Sequence, residues 1–241
     1  MRFLKKLLFD QSDSALSRNL RRKRFGLFRS LLDSLPRPLR ILDVGGTQSF
    51  WEELGFSEKE QIEFVIFNVS PSRITRPNFT ARVGDARDMH EFRDGQFDVV
   101  FSNSVIEHVG SFEDQRRMAN EVRRVGRRYF VQTPNRGFPM EPHFMVPFFQ
   151  FMPTEAKIFL AMHFDLGWTK KRATVQEARE LVESIRLLTE PQMRQLFPSA
   201  TMQKEEFLGL TKSFIVYEGW EREMDAVFGA TPPGRSLRTA P

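Results

Sequence analysis

Two kinds of hydrophobic spacing divide the chain. Over residues 14–35 the apolar positions Leu16, Leu20, Leu27, Phe28, Leu31, Leu32 and Leu35 recur at helical intervals, with the basic run Arg21, Arg22, Lys23 and Arg24 interrupting one face. The pattern predicts an amphipathic helix. Pro36 and Pro38 end it, because proline removes a backbone donor and biases its predecessor away from helical geometry. Short, nearly continuous apolar runs follow at 39–44, 62–67, 79–83, 96–102 and 128–132. Such runs fit strands buried on both faces, as in a parallel sheet covered by crossover helices. Helical spacing returns at 112–125, around 153–162, at 175–185 and at 190–197. Two last strands, near 200–207 and 212–218, flank Gly209, and so short a connection favours an antiparallel pair.

Charge changes less than it first suggests. The 241 residues carry a formal net charge of +5 and a pI near 9.7, which invites an anionic polymer as partner. Residues 1–40 alone hold +8, and the last ten add +2, so residues 41–231 sum to −5. The body is acidic and has no continuous basic track, which argues against nucleic acid as substrate. Forty per cent hydrophobic residues exclude wholesale disorder. The absence of cysteine excludes disulfides, zinc–thiolate sites, iron–sulfur clusters and a thiol nucleophile. No apolar run approaches membrane-spanning length, and the first residues are too short an apolar stretch for a signal peptide, so a cytoplasmic protein is expected.

In an open parallel sheet, ligands collect beyond the carboxyl ends of the strands, near the switch in strand order. Four strands of this sequence end in residues suited to that task. The first runs into Asp43-Val44-Gly45-Gly46, where glycine lets backbone approach a ligand closely. The second ends at Asn68, the third at Gly84-Asp85-Ala86, whose carboxylate could accept from an exocyclic amine, and the fourth at Ser102-Asn103-Ser104. One such turn is weak evidence; four in series are not.

The series ILDVGG (41–46), GDA (84–86), FDVVFSNSVIEHV (97–109) and NEVRRVGRRYFVQTPN (120–135) resembles the class I S-adenosylmethionine-dependent methyltransferases, in their small-molecule, type 11-like branch. The resemblance implies a Rossmann-like α/β fold, a seven-stranded mostly parallel sheet with helices on both faces and an antiparallel final strand pair. It implies S-adenosylmethionine as cofactor and methyl transfer to an O, N or C nucleophile of a small acceptor. Asp43, Gly45 and Gly46 would then hold its methionyl end, Asn68 its ribose, Asp85 and Ala86 its adenine, while Asn103 would face cofactor and substrate. Two positions depart from the pattern: Thr47 and Ser49 stand where glycines are usual, and Asn68 replaces a carboxylate. Residues 1–38 become a basic helical extension, 39–220 the methyltransferase domain with an acceptor-side insertion at 136–190, and 221–241 a tail expected to be partly disordered. The alternative is a non-catalytic module that binds the cofactor or a membrane surface.

His108, after the fourth strand, and His143, beyond the fifth, are the candidate general bases; His90 and His163 read as surface or packing residues. With four histidines at unclustered spacing and no cysteine, no metal site is expected. The segment 138–151 holds five phenylalanines and two methionines, which could pack on the core, wall an acceptor pocket or touch a bilayer. Residues 1–35 carry the same choice between docking on the domain and peripheral membrane contact.

Overall fold

The computed structural model describes residues 15–220, so the expected tail at 221–241 and the start of the N-terminal extension lie outside the described residues. Seven strands form one sheet: β1 (Leu39–Val44), β2 (Ile62–Asn68), β3 (Phe79–Val83), β4 (Val99–Asn103), β5 (Tyr129–Pro134), β6 (Thr201–Phe207) and β7 (Leu210–Glu218). Their order is β3-β2-β1-β4-β5-β7-β6. Strands β1 to β5 pair in parallel, β7 opposes β5, and β6 opposes β7, so β7 alone runs against the other six. The strand order reverses between β1 and β4, which places the crevice predicted for a ligand at the ends of those two strands.

Among the described residues six α-helices accompany the sheet: α1 (Ala15–Asp33), α2 (Gln48–Glu53), α3 (Phe112–Val125), α4 (Thr154–His163), α5 (Val175–Glu183) and α6 (Glu190–Leu196). Both faces of the sheet are covered. Leu42, Val65, Val100 and Val131 point to one side and meet Met118 and Val122 of α3 and Met193 of α6. Phe64, Ile66, Phe101 and Phe130 point to the other and meet α1 through Phe25, Phe28, Leu31 and Leu32, and α2 through Trp51. Each such side chain taken from water contributes about 1.5–3 kcal/mol before its ordering entropy is counted. The apolar face of α1 is therefore spent on the sheet, and Trp220 closes its end by donating to the Leu31 carbonyl at 2.9 Å. Ser111 and Asp114 form a reciprocal cap at the start of α3, as Thr174 and Glu177 do at α5.

The segment 136–190 has a small core of its own, in which Phe144, Phe149, Ile158, Leu166 and Val182 pack together under α4 and α5. The segment 138–151 accordingly divides: Phe144 and Phe149 are interior, whereas Phe148 and Phe151 are exposed. The fourth strand begins three residues later than its apolar run suggests, because Asp98 is engaged by the Arg40 amide and Phe97 makes only an isolated bridge to Gly126. No helix links β2 to β3 or β3 to β4; those connections are irregular apart from their turns.

The β6–β7 hairpin turns through Leu208 and Gly209, both in the left-handed region at φ 50° and 76°. Two-residue hairpin loops require this geometry, which glycine and asparagine adopt easily and leucine does not. Leu208 is also largely exposed and packs nothing that would compensate. Leu208→Asn should therefore raise the unfolding free energy by about 0.5–1 kcal/mol, read as a higher urea midpoint at unchanged slope.

Candidate active site

The chain leaves β1 through a turn with no space for side chains. A Cβ on Gly45, at φ 82°, would lie 2.5 Å from a Val105 methyl, and one on Gly46 would fall 1.8 Å from a carboxylate oxygen of Asp43. Asp43 is thus folded under the turn, fully buried, and its carboxylate accepts from Trp51 Nε1 at 2.7 Å. Burial pushes its pKa up to about 7, against the opposing pull of the Trp51 bond. Thr47, where the resembling family has glycine, caps α2 by accepting from the Phe50 amide. Gln48 reaches across to Thr75, donating to its hydroxyl at 2.6 Å and accepting from its amide at 2.8 Å, and so straps the loop after β2 to this turn.

At the end of β2, Asn68 is half-buried and its side-chain oxygen accepts from the Val69 amide. Gly84 abuts the Phe67 ring, where a Cβ would come within 2.5 Å. Asp85, next in the chain, is grasped by Arg87, whose Nε lies 2.9 Å from both carboxylate oxygens, and it also accepts from the Arg87 amide. The Arg87 guanidinium holds the Asp85 pKa below its ordinary value. Ala86 is buried beside it.

At the end of β4, Asn103 accepts from Arg24 of α1 at 2.7 Å. The same guanidinium forks onto Glu205 of β6, with Nε and Nη2 at 2.9 and 2.5 Å from the two carboxylate oxygens, and Ser213 of β7 donates to Glu205 as well. Arg24 is therefore turned inward, in contrast to its exposed neighbours Arg22 and Lys23. A cavity of about 150 Å³ opens here, between Asn103 and Ser104 on the floor, Arg24 and Lys212 on one side, and Phe138 and Met140 on the other. Burial, reinforced by the Arg24 charge, holds the Lys212 pKa below the usual lysine range.

The two histidines expected separately as bases are neighbours. Their rings meet edge to face with centroids 4.8 Å apart. His143 Nδ1 lies 2.7 Å from Glu141, whose other oxygen accepts the His143 and Phe144 amides. Burial lowers the His143 pKa, but the Glu141 bond and the Glu141 and Glu107 charges outweigh it, so the net shift is upward. Burial and the His143 charge lower that of His108. Glu107 is wholly buried, accepts from the Thr133 hydroxyl at 2.9 Å, and is pushed up to about 7 by burial. Neither histidine lines the cavity, although Pro142, beside His143, does. His90 and His163 are exposed, as expected.

A methyltransferase-domain family matches residues 45–129, a span that contains Gly45, Asn68, Asp85 and Asn103. Over that span the chain is similar to methyltransferase domains. Structures with this fold include the CurJ carbon methyltransferase (13% identity, TM-score 0.54, 90% of this chain and 57% of that one) and the DszA carbon methyltransferase (15%, 0.53, 87% and 56%). An S-adenosylmethionine-dependent methyltransferase of Methanosarcina mazei is similar at 14% identity and TM-score 0.50, over 78% of this chain and 95% of that one. Among curated proteins, an uncharacterized protein of Mycobacterium tuberculosis is 28% identical over 95 residues, 39% of this chain. The chain spans only 30% of that relative's length. No described helix is long and apolar enough to cross a membrane.

Sequence reasoning found the polar strand ends of the parallel sheet and missed what joins them to the rest. Arg24 belongs to a basic run that reads as solvated, and Glu205 to a charged edge strand; only the docking of α1 brings them together. Truncating Arg24 to Leu strands the Glu205 carboxylate in the interior and should cost about 3–5 kcal/mol in urea unfolding, most of which the further change Glu205→Gln should restore. Asp43 makes a pH-dependent prediction. An acid whose folded pKa lies above its ordinary value favours the fold fully below the ordinary value and loses that contribution as pH rises through the folded one. Between pH 4 and 7 the wild type should lose stability relative to Asp43→Asn, by up to about 4 kcal/mol, with the difference constant above pH 8.

Proposed function

We propose that the protein transfers a methyl group from S-adenosylmethionine to a nucleophilic atom of a small acceptor that combines an apolar body with an anionic group. The observation that carries this reading is the row of strand ends on one edge of the parallel sheet, Gly45-Gly46, Asn68, Asp85 and Asn103, the last of which lines a cavity walled by aromatic and basic residues. The cofactor supplies a methyl group activated on a sulfonium; the protein's task is alignment and exclusion of water. Effective molarities on the order of 10⁵–10⁸ M show how much orientation alone can contribute to such a displacement.

The residues fit the cofactor. The two glycines keep side chains off the approach to the turn, so backbone groups can meet the methionyl end. Asn68 offers an amide that can both donate and accept to ribose hydroxyls. Asp85 shares its oxygens with Arg87, yet a carboxylate has about four acceptor sites, enough for an adenine amine as well. Asp43 acts from below: it shapes the turn rather than facing the ligand.

Cavity chemistry supports the acceptor class. Phe138, Met140 and Trp168 supply apolar wall, while Arg21, Arg24 and Lys212 are opposed by Glu205, which already engages Arg24. Burial first, and the Arg24 charge second, lower the Lys212 pKa, and an anionic substituent beside it would favour its charged form. The acceptor's nucleophile would sit near Asn103, oriented by contacts to the wall.

Calorimetry with S-adenosylmethionine should show one site, and Asp85→Ala should weaken it by about tenfold or more, the usual worth of a hydrogen bond to a charged group. Labelled cofactor incubated with cell metabolite and lipid extracts should yield a labelled product that is retained on an anion exchanger and disappears in the same variant. Binding without any labelled product would favour a non-catalytic cofactor-binding module, and absence of binding would refute the reading outright.

A further inference from the structure

We propose that Glu107, His108 and His143 form a binding site for one first-row divalent transition-metal ion. The site goes beyond methyl transfer and stands or falls separately from it. One donor atom from each of the three residues lies within 4.8 Å of the others. Metal–ligand bonds of about 2.1 Å need donors roughly 3 Å apart, so small rotations of the two rings complete the arrangement.

Two features of the surroundings point to a ligand. Glu107 is fully buried, and its Oε1 has no hydrogen-bond partner among the described residues, while Oε2 is held by Thr133. A buried carboxylate oxygen left without a partner calls for one. His143 has Nδ1 committed to Glu141, which leaves Nε2 as the nitrogen available to an ion; Glu141 is itself fixed by two backbone amides. A carboxylate behind a ligating histidine fixes the tautomer and raises basicity, the usual outer shell of a metal-bound imidazole. The His143 imidazole is therefore oriented by its second nitrogen.

The donor set selects the ion. Two imidazoles and one carboxylate suit zinc, cobalt, iron(II) or manganese, whereas calcium and magnesium prefer all-oxygen shells and thiolate-seeking ions find no cysteine. Three protein ligands leave coordination positions open for water or an exogenous group. The expectation from chain spacing that no metal is held is overturned on this reading, because residues 108 and 143 follow adjacent parallel strands, β4 and β5, and converge in space.

The test uses the full chain, stripped with a chelator and titrated with Zn²⁺ and Co²⁺ at pH 7.5. Calorimetry should report one site per chain, and Co²⁺ should develop a ligand-field absorption band. His143→Ala and Glu107→Gln should weaken binding at least 100-fold, and Glu141→Gln, which removes no ligand, by 10–100-fold; His90→Ala and His163→Ala should leave it unchanged. In the unsubstituted protein, ring resonances of two of the four histidines should shift with one equivalent of Zn²⁺, a readout independent of whether any variant folds. No heat, no cobalt band, or shifts confined to His90 and His163 would overturn the proposal.

Discussion

The fit of Asp43 beneath Gly46 is the constraint around which the site is arranged. Strand β1 lies inside the sheet between β2 and β4 with both faces covered, so the chain leaves it without spare volume, and the Asp43 carboxylate occupies what space the turn has. Trp51 anchors that carboxylate from α2, and Trp51 in turn packs on Phe28, Phe64 and Phe101. One buried hydrogen bond thereby ties the turn to the aromatic layer that also seats α1. The position of α1 then decides where Arg24 enters, and Arg24 decides the shape of the cavity beside Asn103.

Much of this was readable in the chain because it rests on local rules. Continuous apolar runs marked the buried strands, and the 3.6-residue period bounded α3 at Phe112–Val125. The polar strand ends were legible for the same reason: a residue's place at the end of a strand follows from its neighbours. Arg24 was not legible, because a helix of mixed charge gives no sign of which arginine meets a buried partner 181 residues away. The meeting of His108 and His143 was hidden likewise, since only the adjacency of β4 and β5 converts their separation along the chain into contact. The departures from the glycine pattern had a local explanation after all, for Thr47 supplies a cap that glycine could not.

The segment 136–190 shows how a sheet of strands can be given a separate surface. Its small core supports α4 and α5 without help from the sheet, and its aromatic residues divide between that core, the cavity wall and solvent. Phe138 and Met140 join Phe207 of β6 in a minor cluster, and Lys212 and Ser213 of β7 share the cavity lining with them.

The Arg24–Glu205 pair has a consequence for synthesis. An early helix and a late hairpin meet across the mouth of the cavity, so a nascent chain can assemble the five parallel strands while Arg24 still lacks its counter-charge. The acceptor side is then the last region to become whole, and a chain interrupted after β5 would carry the strand ends at the switch point but no finished cavity beside them.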